Sequence, residues 1–195
     1  AEVARELAAR AEEIGIAFLD CPVSGGQSGA EAGTLTVMCG GGQAAYEAAE
    51  PLMRNYAKSV RLIGGPGSGQ LTKMVNQIAV AGVIQGLAEA IHFAERAGLD
   101  LDAVMATISR GAAQSWQMEN RWQTMHARQF NFGFAVDWII KDLAICRDEA
   151  QRNGAELPVT GLIESYYAKV SRAGGGRYDS SALITLLGDG KARDA

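Results

Sequence analysis

Residues 70–97 form a long, almost wholly apolar stretch, introduced by Gly64-Gly65-Pro66-Gly67-Ser68-Gly69 and closed by Gly98. The pattern predicts one continuous helix of roughly 40 Å at 1.5 Å per residue, with the closing glycine suited to a left-handed position. Such a rod divides the N-terminal third of the chain from its C-terminal half, and the two sides differ in character.

Before Gly65 helix and strand alternate. Residues 4–15 read as a helix ending at its glycine, 16–21, 34–39 and 59–63 as short apolar strands, and 43–56 as a helix. This alternation predicts a mostly parallel sheet with helical crossovers, although the glycine-rich links could also reverse a strand. Three strands are too few for a complete domain of this kind. After Gly65 no convincing strand remains. Asp100 and Ser115 are placed to cap helices, 135–153 reads as a helix stopped by Gly154, Pro158 suits a first turn, and Asp179 or Ser180 starts a final short helix. Gly174-Gly175-Gly176 reads as a loop. The expected fold is therefore α/β followed by all-α. Residues 1–66 form the second half of a Rossmann-like domain, and residues 67–195 form a helical bundle that includes the long interdomain helix.

Composition excludes several classes. Formal net charge is −4, and Lys and Arg are scattered, so no basic stripe offers the phosphate-neutralising surface that nucleic acids require. Asn76, Gln77, Gln85, Glu89 and His92 interrupt the apolar stretch, which argues for a buried helix rather than a membrane span. The three cysteines, Cys21, Cys39 and Cys146, are far apart in the chain and embedded in apolar runs, as expected of reduced core thiols in the cytoplasm. With His92 and His126 as the only histidines, no metal site is expected. Ala1 falls inside what reads as a helix already under way, which suggests a piece of a longer protein.

Two features could carry chemistry. Lys73 and Asn76 lie three apart on the long helix and share a face. An ammonium held against an apolar helix survives by pairing or by shifting its pKa toward neutrality, which is how a proton-transfer group is made; alternatively, Lys73 snorkels to water. The glycine cluster Ser24-Gly25-Gly26, continuing through Gly29 and Gly33, comes after an apolar strand. Its backbone N–H groups and the Ser24 hydroxyl could bind a carboxylate, or its glycines could merely relieve strain. Gly40-Gly41-Gly42 with Ala45 matches Gly-x-Gly-x-x-Ala, but Arg61 stands where a dinucleotide site wants an acid, so a tight strand-to-helix turn is the better reading.

Taken in order, these motifs resemble the β-hydroxyacid dehydrogenase family, which includes 3-hydroxyisobutyrate dehydrogenase, tartronate semialdehyde reductase and 6-phosphogluconate dehydrogenase. Asp20-Cys21-Pro22-Val23-Ser24-Gly25-Gly26 resembles its substrate signature, Gly67 through Lys73 to Asn76 its catalytic signature, and Phe134 through Lys141-Asp142 the segment that approaches the nicotinamide. The resemblance implies Lys73 as the proton-transferring residue and Ser24, Gly25, Gly26, Asn76 and Gln77 as substrate-binding. It also implies that Phe134, Lys141 and Asp142 border NAD or NADP, although Asp142 could instead pair with Lys141 or a neighbouring helix. The substrate would be a small hydroxy acid or semialdehyde, and the protein a homodimer or tetramer through its helical domain. Gln77 stands where the family often has a second Asn, which opens the choice of substrate. The family's N-terminal Gly-x-Gly-x-x-Gly half is absent from these residues, so the chain by itself is expected to be inactive. A non-catalytic dimerisation module and an imine reductase are the alternatives; an imine reductase would place another acid at Lys73.

Overall fold

The alternation before Gly65 produces a small mixed sheet flanked by helices. In order these elements are α1 (Glu2–Glu13), β1 (Leu19–Asp20), β2 (Val23–Ser24), α2 (Gly26–Glu31), β3 (Leu35–Gly41), α3 (Gln43–Met53) and β4 (Ala57–Gly64). The computed structural model describes residues 1–188. Contacts divide the chain into a unit spanning 1–76 and a second from Gln77 onward, a boundary that falls inside the long helix rather than at its glycine approach. Lys73 and Asn76 thus belong with the α/β unit.

The expectation of a mostly parallel sheet is corrected. Only β3 and β4 run parallel, joined through α3, whereas β1 and β2 both pair antiparallel to β3. A parallel return needs a crossover of a dozen or more residues. The link from Ser24 to Leu35 holds only the short α2, and it turns the chain straight back. The β3 face made by Leu35, Val37 and Cys39 packs with Met53 of α3 and with Ala57 and Val60 of β4, as the two-residue period of a strand demands.

The long helix, α4, spans Ser68–Arg96, and after it come α5 (Leu101–Ile108), α6 (Trp116–His126), α7 (Val136–Asn153) and α8 (Pro158–Val170). Expected caps are in place: Asp100 accepts from the Ala103 N–H at 3.3 Å, Ser115 from Met118 at 3.0 Å and Asp179 from Ser181 at 3.0 Å. Gly154 closes α7 at φ 78°. At Gly174-Gly175-Gly176, expected as a loop, α8 widens over Ser171–Gly175 and breaks at Gly174, whose φ is 93°, before the final 3-10 helix Ser180–Leu186. A Cβ at Gly175 would strike Val170 and Tyr178, so the turn closes only with glycine there. Ile84, Leu87 and Ile91 of α4 pack with Met125, Ile139, Leu143, Ile163, Tyr167, Leu183 and Ile184 in one apolar core.

Among the described residues, α4 is the one helix long and apolar enough to cross a membrane by length and composition. Its Ile84, Ala88 and Ile91 are instead buried in the protein core.

Candidate functional site

The start of α4 is bolted to the sheet by one carboxylate. Asp20, at the end of β1 and 4% exposed, accepts from the Gly67 N–H through Oδ1 at 2.7 Å and from the Gln70 N–H through Oδ2 at 2.7 Å. Those donors belong to the first turn, whose N–H groups have no partner within the helix. The approach is close enough to forbid side chains. A Cβ on Gly69 would strike the carbonyls of Asp20 and Met38, and one on Gly40 would strike Asp20 and the backbone nitrogens of Ser68 and Gly69. The motif around Ser24 contains Asp20, but sequence reasoning assigns it no role. The signal that could have found it is an acidic residue ending an apolar strand directly before a glycine segment.

From this anchor the candidate residues extend along two arms. Ser24 sits on β2, half-buried, with Gly25 and Gly26 exposed beside it at φ 127° and 60°. No Cβ contact would hinder a side chain at Gly26, so its glycine serves the backbone conformation. On α4, Lys73 and Asn76 are both half-buried, one turn apart, while the intervening Val75 is 66% exposed. Lys73 therefore lies along the protein rather than standing free in water.

The remaining candidates lie in the helical unit. Gln77, 4% exposed, donates through Nε2 to Asp142 Oδ2 at 2.6 Å, and Lys141 Nζ reaches Asp142 Oδ1 at 3.0 Å. Both readings of Asp142, as a partner of Lys141 and of another helix, hold together. The Lys141 side chain remains 66% exposed. Phe134 stacks obliquely on Trp138 with ring centroids 5.9 Å apart, and its N–H donates to Asp179 Oδ2 at 2.9 Å. Asp179 is 2% exposed and also receives the Ser181 N–H and hydroxyl, with Arg121 Nε 3.6 Å away. A carboxylate expected only to start a helix also fixes the Phe134 segment.

The Gly40-Gly41-Gly42 segment does not fit a dinucleotide pyrophosphate. The space over Gly40 is filled by Asp20, and the space over Gly41 by Leu19 and the Phe18 carbonyl, so these glycines pack the sheet against its neighbours. In the helical unit the Phe134–Trp138 pair provides an apolar surface and Lys141–Asp142 a charge pair. A separate concavity of about 600 Å³ in the helical unit is lined by Glu95, Asp100, Asp102, Trp122 and His126, and includes none of the motif residues. Both histidines converge there on Glu95, with His126 Nδ1 at 2.8 Å and His92 Nδ1 at 3.9 Å, and Arg128 Nη2 is 2.9 Å away. Among the described residues no His, Cys, Asp and Glu cluster could hold a metal ion.

Comparison with known proteins places these features. Residues 67–187 match the family profile described as NAD-binding of NADP-dependent 3-hydroxyisobutyrate dehydrogenase, and residues 1–64 the NAD binding domain of 6-phosphogluconate dehydrogenase. An uncharacterized oxidoreductase of Shewanella frigidimarina is 57% identical over 96% of this chain and 64% of its own length. The 2-hydroxy-3-oxopropionate reductase of Escherichia coli is 37% identical over 94% of this chain and 63% of its own. The crystal structure of 3-hydroxyisobutyrate dehydrogenase from Salmonella typhimurium superposes with a TM-score of 0.82 at 35% identity, covering 94% of this chain and 65% of that one. The chain thus spans a little under two thirds of the length of these relatives. With both halves matched to nicotinamide-dinucleotide-binding families and a solved fold in common, the chain belongs to the β-hydroxyacid dehydrogenase family, whose members use NAD or NADP.

Proposed function

We propose that the chain is the substrate-binding and helical portion of an NAD(P)-dependent oxidoreductase that interconverts a small β-hydroxy acid and its carbonyl form, with Lys73 as general acid and base. The observation that carries this reading is the coupling of its two arms. The strand leading to Ser24 and the helix bearing Lys73 and Asn76 are tied together by the Asp20 carboxylate within one unit.

A bound dinucleotide supplies the nicotinamide ring that takes or returns the hydride. The chain's own residues bind, orient and move the proton. Ser24 with the backbone of Gly25 and Gly26 holds the acid end of the substrate without a basic side chain. Lys73 Nζ accepts the hydroxyl proton in oxidation and donates it in reduction, while Asn76 orients the same oxygen. With both ends held, the reacting carbon keeps one orientation, and the barrier falls through lost freedom already spent on binding. Gln77 acts through Asp142, and Phe134, Lys141 and Asp142 would border the nicotinamide when a dinucleotide is bound.

In the complete protein, Lys73→Ala is expected to lower turnover by about 10²–10⁴-fold and leave coenzyme affinity nearly unchanged. Steady-state kinetics with a coenzyme titration measure both, and an unaltered turnover would reject the role. The same reading leaves the 195 residues alone without dehydrogenase activity.

A second element of the proposal concerns assembly. Val75, Val83 and Phe93 recur along one exposed side of α4, which favours a homodimer or tetramer through the helical part. Light scattering should report a multimer down to low micromolar protein, and a monomer throughout would refute this arrangement.

A further inference from the structure

The three cysteines are scattered in the sequence, but the sheet brings two of them face to face. The antiparallel pairs Leu19↔Gly41 and Asp20↔Gly40 on one side, and Val23↔Val37 and Ser24↔Thr36 on the other, keep one constant register. Continued through the intervening residues, that register sets Cys21 directly opposite Cys39. The Met38 N–H donates to the Pro22 carbonyl at 3.0 Å, which makes Pro22 and Met38 a hydrogen-bonded pair. Pairs alternate along an antiparallel ladder, so Cys21 and Cys39 form a non-hydrogen-bonded pair, with Cα atoms about 4.5 Å apart. Disulfides span Cα separations of about 4.4–6.8 Å. Cys39 belongs to the buried apolar cluster of the sheet, and Cys21 packs against that same cluster.

We propose that Cys21 and Cys39 are a disulfide-forming pair, a reversible oxidation site on the strand that leads from Asp20 to Ser24. Their environments divide the work. Cys21 is half-exposed and can meet a small reagent, whereas Cys39 is 0% exposed, with its thiol 3.8 Å from Met53 Sδ. With a low-molecular-weight disulfide as oxidant, the Cys21 thiolate attacks one sulfur and expels the first thiolate. The Cys39 thiolate then attacks the Cys21 sulfur of the mixed disulfide and expels the second. One protein S–S bond replaces one reagent S–S bond, two electrons pass to the reagent, and the two thiol protons leave with the expelled thiolates or to water. Burial, together with the neighbouring Cys39 thiol, pushes the Cys21 thiol up to about 12, so closure is slow at neutral pH and base-limited. Cys146 is buried in the helical unit and takes no part.

The test uses oxidised glutathione on the native chain between pH 7 and 9, with acid quenching, alkylation and mass spectrometry. Trypsin has no cleavage site between the two cysteines, so the digest cuts after Glu31, which separates them. The expected product has lost two hydrogens, keeps the Cys21 and Cys39 peptides joined until reduction, and forms at a rate rising about tenfold per pH unit. Cys21→Ser, at the half-exposed position, should abolish the link, and Cys146→Ser should leave it unchanged. A stable glutathione adduct on Cys21 without closure, a link involving Cys146, or three alkylatable thiols after treatment at pH 9 would each overturn the pairing.

Discussion

The α/β unit and the helical unit are held together by different means. The first buries a small cluster around Val37, Cys39 and Val60, and its most exacting contacts are polar or backbone: Asp20 with the first turn of α4, and Gly40 and Gly69 where chains nearly touch. The second buries a continuous apolar core from Ile84 to Ile184. Apolar packing is roughly proportional to area and tolerates small shifts, whereas a two-point carboxylate clamp defines a position. The unit carrying Ser24 and Lys73 is thus the one built for placement, and the other is the reservoir of stability.

The largest expected effect breaks the reservoir. Leu143 is 0% exposed in the helical core, so Leu143→Ala should cost about 2–5 kcal/mol. Trp116, Trp122 and Trp138 all lie in the helical unit, so tryptophan fluorescence in urea reads that unit alone. An unmoved midpoint would remove the basis of the contrast.

Asp20→Ala tests the other side. It strands two first-turn N–H groups, one of them only part-buried, at about 1–3 kcal/mol each, so the loss should be comparable with that of the core change. Amide exchange at Gly67 and Gln70 should accelerate while the fluorescence midpoint stays near the parent value. A loss read only by tryptophan would mean that the clamp belongs to the helical unit's stability instead.

The smallest effect concerns acid. Burial alone would raise the Glu95 carboxyl, but hydrogen bonds from Arg128 and His126 outweigh it and hold the group below the usual carboxylate range. A depressed folded-state value contributes stability above the unfolded carboxylate pKa, and that stability is lost as pH falls through the folded value. The helical unit should therefore weaken below about pH 4.3, the ordinary glutamate value, and Glu95→Gln should flatten that part of the fluorescence-detected profile. An unchanged slope would assign acid sensitivity to other carboxylates.

Much of this architecture is legible in the residues. The caps Asp100, Ser115 and Asp179, the stop at Gly154, and α4 to within two residues come from local rules that act between neighbours in the chain. Lys73 and Asn76 share a helix for the same reason. The short strand at Val23–Ser24 and the helix Gly26–Glu31 are hidden because a glycine-rich segment reads as a loop when its partners are unknown. The turn over Ser171–Gly175 is hidden for a similar reason, since Val170 and Tyr178 select its glycine.

By itself, then, the amino-acid order determined which segments coil, where they stop, which face of each is apolar and which motifs mark the family, because capping and periodicity operate over a few residues. Tertiary structure alone decided strand direction, the clamp from Asp20 to Gly67 and Gln70, the commitment of Gln77 to Asp142, and the opposition of Cys21 to Cys39. Those depend on which distant backbone donors and strands meet, and the residues at either end carry no local trace of the partner.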